Sequence, residues 1–154
     1  MKYENQIEID LPRQQLVKLF SNPEYYPRWQ KGLTLYETIK GEQGMPGAHS
    51  RLKFKTGKRE MNMVETIIEN HLPDKYTVTY ETSSVHNLQS SMFKELSPGK
   101  TLYHTYNEFK FSGFMKIFGW LMPGAFKKQT QKYLEQFKAF AEEESHLHST
   151  QAPT

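Results

Sequence analysis

Polar and apolar side chains alternate over the first eleven residues of the chain. Polar residues occupy the even positions from Lys2 to Asp10, and apolar residues occupy the odd positions from Tyr3 to Leu11, with Asn5 as the polar exception. A period of two residues is typical of a β-strand that buries one face. The pattern predicts a strand over residues 2–11.

Two short helices are predicted after this strand. Pro12 suits the first position of a helix, and an apolar stripe with helical spacing follows until Ser21-Asn22-Pro23 ends it. A second helix is predicted over residues 24–29, with its end near Gly32.

Six further strands are predicted between residues 33 and 111. Turn-forming sequences recur about every ten residues in this region, as at Thr56-Gly57, Leu72-Pro73-Asp74 and Ser97-Pro98-Gly99. Strands joined by such short loops favour an antiparallel meander over parallel crossovers.

The sequence does not decide which side chains of two of these strands point inward. In the strand over residues 59–71, Met61 and Met63 have the opposite phase to Val64 and Ile68, which indicates a β-bulge. The strand over residues 85–96 has one phase that begins at His86 and another that begins at Asn87.

The C-terminal region predicts one long amphipathic helix over residues 125–142. Phe126, Thr130, Tyr133, Phe137 and Phe140 recur at spacings of four and three residues, opposite a charged face. Residues 145–154 are predicted to be a disordered tail, which leaves a single domain over residues 1–144.

A separate apolar segment lies just before this helix. Seven of the nine residues from Phe114 to Met122 are large and apolar, and Pro123-Gly124 favours a bend at their end. We expect a short helix or turn that covers a cavity mouth as a lid, with Phe114, Phe118 and Trp120 as its apolar contacts. A static cap that completes the core is the alternative.

These elements predict an α+β architecture. A seven-stranded antiparallel sheet must cover its apolar face, and the long C-terminal helix is the element able to do so. The expected structure is therefore a helix-grip fold, in which a curved sheet wraps the C-terminal helix and leaves a cavity at one end.

Composition narrows the functional classes. The chain has 154 residues, no cysteine, a formal charge of +3, and aromatic residues at 14%. The absence of cysteine excludes thiol catalysis and disulfides, and the mild charge predicts no nucleic-acid partner. The polar start resembles no signal peptide, so the cytoplasm is expected. The many aromatic side chains suit a lined cavity.

Several segments resemble the START-like, Bet v 1-like (SRPBCC) superfamily. They are residues 22–29, residues 137–142, the turn at Gly44–Gly47, the Leu72-Pro73-Asp74 turn and residues 121–126. The chain looks similar to the polyketide cyclase/dehydrase and lipid-transport group over residues 3–143. The resemblance implies the helix-grip fold and an internal cavity, but it implies no catalytic residues.

Strand phase, helix stripe and this resemblance together give a candidate ligand-binding set. These residues have inward phase or lie near the expected mouth. They are Trp29, Tyr76, Tyr80, Asn107, Phe109, Phe126, Thr130 and Tyr133.

No catalytic set is identified. His104 has the phase of the outer face, and no histidine pair has metal-ligand spacing, so we predict no metal and no cofactor. Glu65 and Glu69 lie in the strand of unknown phase. An inward histidine or carboxylate that touches a second titratable group would indicate an enzyme.

The sequence predicts a protein that binds an apolar or amphipathic small molecule, for carriage or sequestration. The alternative is a cyclase or dehydratase that acts on a polyketide-like substrate in the same cavity, and a third reading is a protein-interaction module. The basic residues near the lid suit transient contact with a membrane surface. The oligomeric state stays open.

Overall fold

The computed structural model describes residues 1–151, and side chains as far as His148. Seven strands form a single antiparallel sheet in the order β1-β7-β6-β5-β4-β3-β2. The strands are β1 (Lys2–Ile9), β2 (Leu33–Lys40), β3 (His49–Thr56), β4 (Arg59–His71), β5 (Lys75–Glu81), β6 (Val85–Ser97) and β7 (Lys100–Phe111). The predicted seven-stranded antiparallel sheet is confirmed, and β2 to β7 follow one another as a meander.

The helices lie in two places along the chain, between β1 and β2 and after β7. Two short helices follow β1, and the main helix follows β7, as predicted. They are α1 (Arg13–Ser21), a 3-10 turn (Pro23–Tyr25), α2 (Tyr26–Trp29), α3 (Met115–Leu121) and α4 (Pro123–Gln151).

The core forms where α1, α2 and the second half of α4 pack on the concave face of the sheet. Phe137 and Leu134 of α4 are buried together with Leu16 and Phe20 of α1. Phe20 lies at the centre of an aromatic cluster whose other rings are Trp29, Tyr76, Phe93, Tyr103 and Phe137. These rings therefore close this end of the molecule, and free space lies between them and the start of α4.

Asn5 explains how α4 is attached to the first strand. Its side chain is 7% exposed. Its Nδ2 donates to the carbonyl oxygen of Lys127 at 3.2 Å and to Oε1 of Gln131 at 2.8 Å. The polar exception in the alternating pattern is thus an inward residue that binds the helix.

Helix α4 is longer at both ends than the sequence predicts. Residues 145–151, for which disorder is predicted, are helical, and residues 152–154 lie outside the described residues. The reason is an anchor at Glu144, whose carboxylate accepts from Arg28 at 2.7 Å and lies 3.1 Å from Nε2 of His148. The side chain of Arg28 also lies over the ring of Phe140. Because these contacts fix the helix beyond residue 142, the helix can continue by propagation.

Helix α3 is distinct from α4, as predicted for the segment 114–122. Met122 has non-helical backbone angles, and α4 begins at Pro123. Gly119 is the buried residue of α3, and a Cβ atom there would lie 2.7 Å from the ring of Phe111. This glycine therefore allows α3 to pack directly on the end of β7.

Candidate functional site

A cavity of about 830 Å³ lies between the concave face of the sheet and the first half of α4. Strands β4 to β7 form most of its floor, and α2 and α4 form its sides. Small-molecule sites commonly have volumes of about 300 to 1,000 Å³. The sheet therefore encloses enough space for a ligand of substantial size.

The structure brings all eight predicted ligand-binding residues together on the wall of this cavity. They lie on α2, β5, β7 and α4. They are Trp29, Tyr76, Tyr80, Asn107, Phe109, Phe126, Thr130 and Tyr133. Their common location agrees with the phase argument, and their contact with a ligand stays a prediction.

The three predicted lid residues do not line the cavity. Phe114 and Trp120 are 79% and 80% exposed, and Phe118 packs against Phe126 with ring centroids 6.0 Å apart. Met115 is the residue of α3 that reaches the cavity wall. A lid role for α3 stays a prediction, with its apolar face directed to solvent in this conformation.

The inward phase of β6 is the more polar of the two. Asn87, Gln89 and Ser91 line the cavity, whereas His86 and Leu88 lie on the opposite face. The alternation along the sequence could not show which face of β6 points inward, because polar residues occur on both faces in the first half of the strand. The choice follows from pairing, since Asn87 lies beside the buried Asn107 of β7.

Asn107 presents a hydrogen-bond donor without a partner. Its residue is 1% exposed, and its Oδ1 accepts from Nδ2 of Asn87 at 3.1 Å. Its own Nδ2 has no hydrogen-bond partner in the described structure. Because a buried polar group without a partner costs about 1 to 3 kcal/mol, this amide is suited to an acceptor atom on a bound molecule.

Thr130, in contrast, is satisfied within the protein. The hydroxyl of Tyr3 donates to the carbonyl oxygen of Phe126 at 3.2 Å and lies 2.8 Å from Oγ1 of Thr130. Because the hydroxyl proton of Tyr3 points at the carbonyl oxygen of Phe126, the hydroxyl of Thr130 donates to the hydroxyl oxygen of Tyr3. Its hydroxyl therefore positions Tyr3 against α4.

Glu65 is the main functional candidate that sequence reasoning did not assign. The carboxyl group is buried in the cavity wall, with the residue 5% exposed. The hydroxyl of Tyr36 donates to Oε1 of Glu65 at 2.9 Å, and Tyr80, its cross-strand partner, also hydrogen-bonds to the carboxyl. The predicted bulge is confirmed between Ile67 and Glu69. It does not explain the phase of Val64, which precedes the bulge and lies on the face opposite to Met63 and Glu65. Glu65 faces inward on one side of the bulge, whereas Glu69 pairs with Lys75 on the protein surface.

Burial governs the protonation of this cluster. Burial raises the pKa of Glu65 above its ordinary value of 4.5, while hydrogen bonds from Tyr36 and Tyr80 oppose that effect. Burial, followed by the nearby Glu65 charge, raises the pKa of Tyr36, Tyr76 and Tyr80. The phenols are therefore neutral donors, and a protonated Glu65 is favoured relative to a carboxyl group in water.

The raised pKa of Glu65 predicts a pH dependence of stability. The unfolded chain loses this proton near pH 4.5, whereas the folded protein keeps it to a higher pH. The contribution of Glu65 to the stability of wild type is thus fully present below the unfolded pKa. It is lost as pH rises through the folded pKa. Urea unfolding between about pH 5 and pH 8 should show Glu65→Gln gaining stability relative to wild type.

If the difference in stability between wild type and Glu65→Gln stays constant over this pH range, Glu65 has an ordinary pKa in the folded state. Glu60→Gln is the matched control. Glu60 lies on the same strand at the exposed edge of the cavity, so this variant removes one carboxyl group and leaves the buried one in place.

The cavity wall carries no basic side chain among the described residues. Its ionisable members are Glu60, Glu65 and a set of tyrosines. His104 lies on the outer face instead, where its Nε2 is 3.3 Å from Oε2 of Glu4. Within residues 1–148, no three metal-ligating side chains form a cluster, and within residues 1–151 no helix is long and apolar enough to cross a membrane.

Solved structures with the same architecture are numerous. A START superfamily protein from Mycobacterium smegmatis has a TM-score of 0.76 at 12% identity, with 92% of this chain and 97% of that chain covered. The Zhui aromatase/cyclase from Streptomyces sp. R1128 has a TM-score of 0.75 at 11% identity, with 92% and 93% covered. The chain has the START-like, Bet v 1-like fold. The fold predicted from the sequence resemblance is confirmed.

A third structure with the START-like fold is norcoclaurine synthase from Thalictrum flavum. Its TM-score is 0.69 at 14% identity, and the match covers 93% of this chain and 87% of that chain. No protein-family model matches the sequence, and no curated protein sequence matches it either. At such identities the START-like fold is shared, while activity and ligand must be argued from the cavity itself.

Proposed function

We propose that this chain binds an apolar or amphipathic small molecule in the cavity, such as a lipid, an isoprenoid or a polyketide-like compound, for carriage or sequestration. The observation that carries the proposal is the aromatic wall: eleven Phe, Tyr and Trp residues line the cavity within the described part of the chain. Burial of apolar ligand surface contributes about 25 cal/mol per Å². Such a wall supplies affinity, and inward groups such as Asn107 supply orientation.

Native mass spectrometry of the purified protein tests this proposal. Gln89 lines the cavity on β6, and the adjacent Leu88 points to the other face. Gln89→Trp places a large ring in the cavity and should remove a co-purified small molecule. Leu88→Trp is the matched control and should keep that molecule. Wild-type protein that never carries or takes up an apolar compound would contradict the proposal.

We also propose that ligand exchange takes place on an anionic membrane surface, with α3 as the docking element and lid. Several exposed apolar residues lie within the segment 114–122 that contains α3. They are Phe114, Ile117, Trp120, Leu121 and Met122. Residues 109–134 contain five lysines and no acidic residue. Exposed aromatic and aliphatic side chains flanked by lysine suit the interface of an anionic bilayer.

The location of α3 supports a role in exchange. Met115 lies on the cavity wall, and Phe118 contacts Phe126, which also lines the cavity. A displacement of α3 on membrane contact would therefore alter the wall directly. Hydrogen exchange of residues 112–124 should accelerate on addition of anionic vesicles. If residues 112–124 exchange as slowly as α4 and vesicles do not change their rate, the lid proposal is contradicted.

One observation favours a cyclase or dehydratase activity as a second candidate. Glu65 is an inward carboxyl group that touches titratable Tyr36 and Tyr80, which is the feature expected of an acid or base in such a cavity. Turnover of a polyketide-like substrate that is lost in Glu65→Gln would establish this candidate over simple carriage.

A further inference from the structure

Glu65 lies in a row of inward polar residues that crosses the sheet. Ser50, Glu65, Tyr80 and Asn87 are successive cross-strand partners on β3, β4, β5 and β6. Asn107 continues this polar strip on β7 through its hydrogen bond with Asn87. The floor of an otherwise aromatic cavity thus has a continuous line of hydrogen-bonding groups.

The groups that face Glu65 are phenols and a hydroxyl. Tyr36 comes from β2, Ser50 from β3, Tyr76 and Tyr80 from β5, and Tyr26 from α2. Within the described residues, no ion pair involves Glu65, and no lysine, arginine or histidine lines the cavity. A buried carboxylate without a cation is strongly disfavoured, so the surroundings stabilise the neutral acid.

A neutral Glu65 has one proton to donate. Tyr36 donates to Oε1 of Glu65, and Tyr80 is also placed as a donor to the carboxyl group. Because both phenols direct their protons at the carboxyl oxygens, the proton of the acid itself can point toward the cavity. The unpartnered Nδ2 of Asn107 is a second donor on the same floor. Three strand spacings separate β4 from β7, which is roughly 14 Å across the sheet.

We propose that the cavity selects uncharged ligands with oxygen acceptors, and that Glu65 anchors a ligand carbonyl or hydroxyl oxygen as a neutral hydrogen-bond donor. This inference deepens the binding function proposed above and rests on it. Long apolar ketones, phenols and quinone-like molecules belong to this class, and those with acceptors at both ends can also reach Asn107. Carboxylates and phosphates are disfavoured because their charge would lose its hydration in a cavity whose wall offers no cation.

Infrared spectroscopy tests the state of Glu65 without any ligand. At neutral pH, wild type should show the carbonyl stretching band of a protonated carboxylic acid, and Glu65→Gln should lack it. Glu60→Gln is the matched control and should keep the band. A wild-type spectrum without this band would overturn the proposal, even if the cavity binds apolar molecules.

Binding of three unbranched probes with the same number of carbon atoms tests the selection. They are dodecan-2-one, dodecanoate and dodecylammonium. Dodecan-2-one should bind at least tenfold more tightly than dodecanoate at neutral pH. Glu65→Leu should weaken dodecan-2-one about fivefold, as expected for the loss of one hydrogen bond. Glu65→Gln keeps a donor and should restore most of that affinity. Tighter binding of dodecylammonium than of the ketone would mean a charged Glu65 and would overturn the proposal.

The same three probes distinguish a failure of the binding function from a failure of ligand selection by Glu65. If none of the three probes binds, the carrier function is contradicted, and ligand selection with it. If all three bind with equal affinity, the cavity is a binding site but Glu65 does not select its ligand. Thermal unfolding of each variant shows whether a lost affinity reflects a lost fold.

Discussion

Replacement of Phe137 by Ala is expected to lower the free energy of unfolding by about 3 to 5 kcal/mol. Phe137 is fully buried, and its ring contacts those of Phe20, Trp29 and Tyr103 between the sheet and α4. Removal of the ring would leave a hole where helices and sheet meet. Urea unfolding followed by circular dichroism measures the loss.

Phe114→Ala is the control for this substitution because it removes the same ring from an exposed position. Its effect should stay within about 0.5 kcal/mol. If Phe137→Ala were as mild as the control, the aromatic cluster at the closed end of the cavity would not hold α4 against the sheet.

The combined substitution of Phe114 and Trp120 by Asp is expected to abolish binding to anionic vesicles. Each ring is largely exposed, and its transfer into a bilayer interface should be worth about tenfold in affinity or more. The new charges would add repulsion from anionic lipids. Co-sedimentation with vesicles of phosphatidylcholine and phosphatidylserine measures the effect.

A matched control places the same two charges elsewhere. Ile39 and Leu96 are also exposed apolar residues, at 48% and 42%, and they lie outside the α3 region. Their replacement by Asp should leave most vesicle binding intact. Equal losses in both double variants would mean that general surface charge, and not α3, determines membrane contact. No binding by wild type would contradict the docking proposal.

The repeating patterns of the sequence predicted the fold well. Alternation over residues 2–11 and the four-and-three spacing of Phe126, Thr130, Tyr133 and Phe137 report which face of each element is buried. The phases of residues 76–82 and 103–111 and the family resemblance supplied the rest of the eight predicted ligand-binding residues, which share the wall of one cavity. This success has a physical basis, since side chains that share an inward phase on a curved sheet must converge. Their contact with a ligand stays a prediction.

The chemistry of the cavity was harder to predict. The sequence leaves the phase of Glu65 open, because Met61 and Met63 share its phase whereas Val64 and Ile68 have the opposite one. The bulge after Ile67 reverses the phase of the strand, so Glu69 faces outward although it has the same parity as Glu65. The inward phase of β6 depends on Asn107 of a neighbouring strand, and one strand contains no information about its partner. The end of α4 likewise depends on Arg28, which lies far away in sequence and close in space.

The strand order has a consequence for how the chain reaches its native state. Strand β1 pairs with β7 alone, so residues 2–9 find their partners at residues 101–108. Contacts between such distant parts of a chain form slowly, because a large loop must close before they contribute any stabilisation. During synthesis the first strand stays unpaired until the residues of β7 have been made. Until then its apolar side is open to association with other chains, which favours aggregation.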